Sequence, residues 1–244
     1  MYINDIHILW YFFIGLLGLF VGQFLDWANV RLENHEKVIC KELFTEYLHN
    51  IKINAKLIYP MALIYIGLLY RFGLTLQLLQ YLILSPMLVS VFVIDYRKQI
   101  IPNRLSLAIL EVALIFAFIT GLSSSNLFLN KVLGMLVGGG TFLLITWIGG
   151  LIAGKEAMGF GDVKLMAGLG LMFGLMDTIM IAVSSFLLGA VISIILLVTK
   201  KKKGDEYIPF GPFIIIATFI VMVVPYNTML SILLTIFTLG MYKL

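Results

Sequence analysis

Charge is what this chain has least of. Asp, Glu, Lys and Arg make up 12% of its 244 residues, while 61% are hydrophobic. A soluble domain of this length carries about a quarter charged residues and about half apolar ones. The shortage excludes a soluble globular fold, and the apolar excess is too large for a single anchor. One cysteine, Cys40, excludes an intramolecular disulfide and a multi-cysteine zinc site. Three histidines, His7, His35 and His49, are scattered and read as solvated loop residues rather than as metal ligands. No basic stretch precedes the first apolar run and no small-residue cleavage pattern follows it. That run is therefore expected to be a retained helix, not a signal peptide. No basic face is interleaved with aromatics, which argues against a nucleic-acid partner.

What the chain does have is a series of apolar runs. They fall at about 8–28, 57–70, 74–94, 104–121, 127–153, 163–178, 179–199, 211–225 and 228–242. In lipid, every backbone polar group must be satisfied within its own segment, so each run is expected to be a helix. The reading is an all-α, polytopic membrane helix bundle of about eight transmembrane helices. The count becomes nine if Pro225-Tyr226-Asn227 is a turn between two spans rather than a kink within one. A single integral-membrane domain over 1–244 is expected, with one short loop at about 31–56 that mixes charges and suits a surface helix.

The basic residues are not spread evenly. Segments 31–56, 95–104, 155–164 and 200–210 together hold 14 of the 17 Lys and Arg residues. The intervening side holds Arg71 and Lys131. The positive-inside rule makes the basic side cytoplasmic and puts the N-terminus outside. The +4 net charge then speaks of orientation and contact with anionic lipid, and Lys200 to Lys203 read as a stop-transfer anchor. Asp95 and Asp162 fall on the same, cytoplasmic side, although neither entered the assignment.

Those two aspartates carry the chemistry. Asp95 closes an apolar run in Ile94-Asp95-Tyr96-Arg97-Lys98-Gln99-Ile100-Ile101-Pro102-Asn103. Asp162 follows a glycine pair in Met158-Gly159-Phe160-Gly161-Asp162-Val163-Lys164-Leu165. A carboxylate at membrane depth is costly, so its presence points to catalysis or ion coupling. Two such groups brought together share a proton and activate a water between them. Each motif also has a plainer reading. Asp95 could be an interfacial charge paired with Arg97 or Lys98, with Pro102 starting a turn and Asn103 capping the next helix. Asp162 could be the N-cap of a helix entered through a glycine turn. The plainer reading suits Arg97, Lys98 and Asn103. It explains less well two carboxylates at apolar-run ends on one side of a membrane. On the chemical reading, Gly159 and Gly161 leave room for a peptide backbone to approach Asp162. Lys164 is either an interfacial anchor or a charge acting on Asp162 at range.

Other acidic residues compete. Asp26 lies near the inner end of the first helix. Glu111, about two turns into the fourth, is expected to make a buried polar contact to another helix. Asp177 reads as an outer turn residue.

The motifs resemble those of the bacterial type IV prepilin leader peptidases, integral-membrane aspartic proteases of the Gly-x-Gly-Asp class. Four stretches carry the resemblance, in the family's order. They are Gly18-Leu19-Phe20-Val21-Gly22-Gln23-Phe24-Leu25 with Arg31-Leu32, Ile94-Asp95 through Leu105, Glu156 through Leu165, and Ile208-Pro209-Phe210-Gly211-Pro212-Phe213. The resemblance implies a membrane endopeptidase that removes the short basic leader of prepilins or pseudopilins at the cytoplasmic face of the plasma membrane. It implies Asp95 and Asp162 as the catalytic pair. Gly159, Gly161, Pro102, Asn103, Lys164, Pro209, Gly211 and Pro212 are the supporting motif residues.

The chain departs from the family in two respects. Bifunctional members carry a larger first cytoplasmic loop with two Cys-x-x-Cys pairs that bind zinc, and they methylate the new N-terminus with S-adenosylmethionine. Here the loop is about 26 residues with Cys40 alone, and Asp26 stands where the family more often has asparagine. No metal and no cofactor are expected; S-adenosylmethionine would be needed only if methylation were retained. Expected partners are prepilin or pseudopilin helices and membrane lipids, with no nucleic acid. The alternative reading is a small transporter, or a pilus or secretion assembly factor, that uses the same carboxylates for ion coupling.

Overall fold

A computed structural model describes residues 2–4, 6–34, 36–38, 55–153, 158–199 and 208–238. Among them the chain is helical apart from one short ladder, and it divides into two compact units, 1–98 and 99–244. The segments 39–54, 154–157 and 200–207 lie outside the described residues, and with them Cys40, the expected loop helix and Lys200 to Lys203.

The first unit opens with an antiparallel pairing of β1 (Tyr2–Ile3) and β2 (Ile6–His7). Asn4 turns the chain between them with φ at +51°, and its side-chain amide donates to the Tyr70 carbonyl at 2.8 Å. Three helices follow: α1 (Ile8–Glu33), α2 (Ala55–Phe72) and α3 (Leu76–Lys98). His7, read from sequence as a solvated loop residue, is the N-cap of α1: its Nδ1 accepts from the Leu9 amide. Helices in lipid gain little from burying apolar surface against each other, so close packing and polar contacts hold them. Gly18 and Gly22 of α1 supply the closeness. A Cβ on either would stand 2.7 Å from the backbone of Ala62 or Ile58 in α2. Tyr65 supplies a polar tie, donating its buried hydroxyl to the Leu82 carbonyl of α3 at 2.8 Å.

The second unit holds α4 (Asn103–Gly121), α5 (Ser125–Ala153), α6 (Phe160–Phe173), α7 (Leu175–Val198), α8 (Gly211–Val223) and α9 (Tyr226–Phe237). The α5–α6 crossing is the closest, with Gly134 and Gly170 meeting backbone to backbone. Lys131 of α5 donates to the Met172 carbonyl at 2.7 Å, satisfying an end group of α6. Between α6 and α7 stands Gly174 with φ at +88°, a conformation that side chains disfavour. The break therefore comes at Gly174, not near residue 178 as the apolar pattern suggests. Asp177 is consequently in the first turn of α7 and not in a loop. Val224 and Pro225 part α8 from α9, so the chain breaks into two helices there, with Pro225 the N-cap of α9 and Tyr226 and Asn227 its first residues.

Six of the nine described helices, α1 to α5 and α7, are long and apolar enough to cross a membrane. The other three, α6, α8 and α9, have 14, 13 and 12 residues. This is an all-α, multi-pass membrane architecture.

Candidate active site

In the first unit, Asp95 lies within the last turn of α3 rather than beyond it. The helix turns Ile94 and Asp95 inward, at 0% and 3% exposure, and leaves Tyr96 71% exposed. Arg97, one of the partners expected for Asp95, reaches across to α1, with Nη1 3.7 Å from Glu33 Oε1. Glu33 is one turn beyond Asn29, which is 1% exposed. Neither the Nδ2 nor the Oδ1 of Asn29 has a hydrogen-bond partner among the described residues. Sequence reading passed over Asn29. The signal was its place in the stripe Gly22-Leu25-Asn29-Leu32, whose members are all buried on one face of α1.

The chain then breaks sharply. Gln99 takes a left-handed φ of +57°, which an α-helix cannot continue. Pro102, extended at φ −61° and ψ 129°, is the N-cap of α4. Its carbonyl accepts from the amides of Leu105 and Ser106 at 3.0 and 3.2 Å. Asn103 is thus the first helical residue and not the cap expected of it. Its side chain is spent elsewhere: Oδ1 accepts from Lys164 Nζ at 2.7 Å.

In the second unit, Asp162 is the third residue of α6, and Gly159 occupies the N-cap. The capping role considered for Asp162 is therefore not the one it has. Its backbone amide donates to the Gly159 carbonyl at 3.0 Å, and the residue is 3% exposed. Gly161 has a packing reason of its own. A Cβ there would stand 2.9 Å from the Cβ of Ile101, closer than side chains approach. Gly161 thus lets the Ile101-Pro102-Asn103 turn lie close against α6. Lys164 faces that turn as well; besides Asn103, its Nζ lies 5.1 Å from the centre of the exposed Phe160 ring. The two sequence motifs meet through Gly161 on Ile101 and Lys164 on Asn103.

Pro209, Gly211 and Pro212 shape the start of α8. Gly211 and Pro212 are its first two residues, and Phe210 is its N-cap. Phe210 is held in an aromatic cluster, 5.0 Å from Phe186 of α7 and 6.0 Å from both Phe142 of α5 and Phe213. Gly189 of α7 lets Phe210 and Phe213 lie close against that helix. Among the described residues no three of His, Cys, Asp or Glu gather as a metal site would require.

Glu111 departs from expectation. It is exposed on α4 and not buried against another helix.

Comparison with known proteins bears on the same residues. The profile of the type IV leader peptidase family, a family of peptidases, matches residues 82–194. That stretch includes Asp95, Pro102, Asn103, Gly159, Gly161, Asp162 and Lys164 and ends before Pro209. Among curated proteins, a prepilin leader peptidase/N-methyltransferase of Xanthomonas campestris pv. campestris is 33% identical over 163 residues, covering 66% of this chain and 55% of the relative. One of Legionella pneumophila is 34% identical over 157 residues, covering 63% and 52%. One of Aeromonas hydrophila is 33% identical over 141 residues, covering 58% and 48%. The chain spans about half the length of these curated relatives. No solved structure matches. The resemblance to type IV leader peptidases stands on the region that holds both aspartates.

Proposed function

We propose that this chain is a membrane aspartic endopeptidase that cleaves the leader of type IV prepilins or pseudopilins at the cytoplasmic membrane face. The observation that carries the reading is the pair Asp95 and Asp162. Each is a buried carboxylate at a helix end, and both fall inside the stretch matched by the peptidase family. A buried carboxylate at membrane depth is expensive, and catalysis is one reason to keep it. In the proposed reaction one carboxylate is ionised and takes a proton from water. The other is protonated and donates to the scissile carbonyl. The substrate helix must unwind locally, because an intact helix hides its amides from attack. Lys164, Asn103 and Gly161 hold the turn before α4 against the N-terminus of α6. Pro209, Gly211 and Pro212 set where α8 begins.

The basic segments support a plasma-membrane location with the N-terminus outside and this chemistry at the inner face. Lipids and prepilin helices are the proposed partners. No metal or cofactor takes part, and the product leaves unmethylated, because the four-cysteine loop of bifunctional members is missing from this sequence. S-adenosylmethionine would enter only if methylation had survived by another route.

The test is co-expression of the full chain with candidate prepilins, scored by intact mass. Loss of the leader mass, dependent on this protein and without an added methyl group, is the expected result. An unshortened substrate together with an ion flux that depends on Asp95 and Asp162 would favour the transporter reading instead.

A further inference from the structure

Helix α3 carries a proline near its middle. Pro86 stands ten residues after Leu76 and twelve before Lys98, so about 15 and 18 Å of helix separate it from the two ends at 1.5 Å per residue. A proline has no amide hydrogen, so the carbonyl four residues before it, that of Leu82, loses its own helical donor. At mid-span no water replaces that donor, and a neighbouring helix must answer the carbonyl instead. Tyr65 of α2 does so: its buried hydroxyl donates to the Leu82 carbonyl at 2.8 Å. Prolines are also where helices kink sharply, and here a bond at the break comes from a second helix.

On the C-terminal side of the proline, α3 runs on to Asp95. Leu88, Val91 and Asp95 recur at helical spacing on one buried face. Asp95 is nine residues from Pro86, about 13.5 Å of helix. A change of about 5° in the bend therefore moves the carboxylate by about 1 Å, and a misplacement of that size costs a reacting group about a hundredfold in rate. We propose that Tyr65 is a positioning residue for Asp95. By bonding the carbonyl that Pro86 frees, its hydroxyl sets the bend of α3 and with it the place of the carboxylate. The effect on cleavage rests on the peptidase reading; the bend does not. A plainer role for Tyr65, packing of α2 on α3, has a different consequence. Packing does not depend on Pro86, whereas the proposed role ends once the Leu82 carbonyl recovers a helical amide of its own.

The test uses the full chain and a prepilin that the wild type processes, with Tyr65→Phe and Pro86→Ala alone and together. Tyr65→Phe keeps the ring and removes the hydroxyl. It is expected to lower kcat at least about tenfold and to leave KM within about threefold, because the groups that bind substrate are untouched. On the Pro86→Ala background the same change is expected to alter kcat by less than about twofold. An equal loss on both backgrounds would assign Tyr65 to packing and overturn the proposal. The bend is read without substrate. Cys40→Ser removes the chain's one cysteine, and spin labels are then attached at two exposed positions, Tyr59→Cys on α2 and Lys98→Cys on α3. Tyr65→Phe is expected to shift or broaden the distance between the labels by about 1.5 Å or more, the travel of Lys98 for the same bend of about 5°. On the Pro86→Ala background it is expected to leave that distance unchanged. An unchanged distance in Tyr65→Phe alone would overturn the proposal whatever the cleavage result. If the wild type processes no prepilin, the peptidase reading fails, and the distances still decide whether Tyr65 sets the bend.

Discussion

Lys164 and Asn103 are 61 residues apart in sequence, yet the ammonium of one donates to the side-chain carbonyl of the other at 2.7 Å. The bond joins the turn that follows Asp95 in the chain to the helix that carries Asp162. Beside it, Gly161 lies against Ile101. Two contacts, one polar and one apolar, thus fix the N-terminus of α4 to the N-terminus of α6.

The polar contact predicts coupling. Lys164→Met and Asn103→Ala should each lower thermal stability and leader cleavage, and the double variant should be little worse than either. Asn103 is exposed and Lys164 half-buried, so a coupling of about 0.5–1.5 kcal/mol is expected, toward the weaker end for a bond to a charged group. Denaturation in detergent and cleavage rates for all four proteins give the cycle. Strict additivity would show that the two residues act separately.

The apolar contact predicts rescue. Gly161→Ala forces a Cβ to within 2.9 Å of the Cβ of Ile101, and overpacking of this kind costs about 1–3 kcal/mol. If packing is the whole reason for the glycine, Ile101→Ala should restore much of the stability and cleavage lost in Gly161→Ala. If the glycine is needed for substrate approach, the double variant should regain stability and stay inactive. The two outcomes separate a role against Ile101 from a role toward a peptide.

How much of this was legible in the sequence follows from what each feature depends on. The ends of α4 and α5 are within two residues of the apolar runs, because hydrophobicity alone defines them. The start of α6 and the α6–α7 break are displaced. The first polar-looking turn, Phe160-Gly161-Asp162, is already helical, and the break depends on the φ of Gly174, which sits unmarked inside Leu171-Met172-Phe173-Gly174-Leu175. Asp95 and Asp162 stood out because charge at an apolar-run end is rare. Their supporting contacts did not. Nothing local to Asn103 shows that its amide is bonded to a lysine 61 residues away, so it read as a cap. Glu111 read as buried because the sequence shows that it is in a span, not which way it faces.

Asn29 gives a prediction of opposite sign to most core substitutions. Both polar atoms of its side chain are buried without a hydrogen-bond partner among the described residues, a condition that costs about 1–3 kcal/mol. Asn29→Leu, close in volume and without polar atoms, should therefore raise the stability of the folded chain by about 1 kcal/mol or more. Thermal melting of the purified protein in one detergent, compared with the wild type, decides the sign. A lower melting temperature would mean that the amide is satisfied in the folded protein after all.

Asp95 and Asp162 predict that two residues behave as one. If the pair shares the work of base and acid, Asp95→Asn and Asp162→Asn should each remove nearly all cleavage, because a lone carboxylate can activate the water or protonate the carbonyl but not both. The double variant should then be little worse than either single one, as expected of groups that act as a unit. Activity of the wild type should follow a bell-shaped pH profile whose two limits belong to the pair and not to one residue. Both single variants should reach normal levels in the membrane, since replacing a buried carboxylate by its amide keeps shape and removes a desolvated charge. Measured against a prepilin that the wild type processes, substantial cleavage by either single variant at normal protein level would falsify the dyad. Ion flux lost in both variants, with no leader removed even by the wild type, would assign the same two carboxylates to transport.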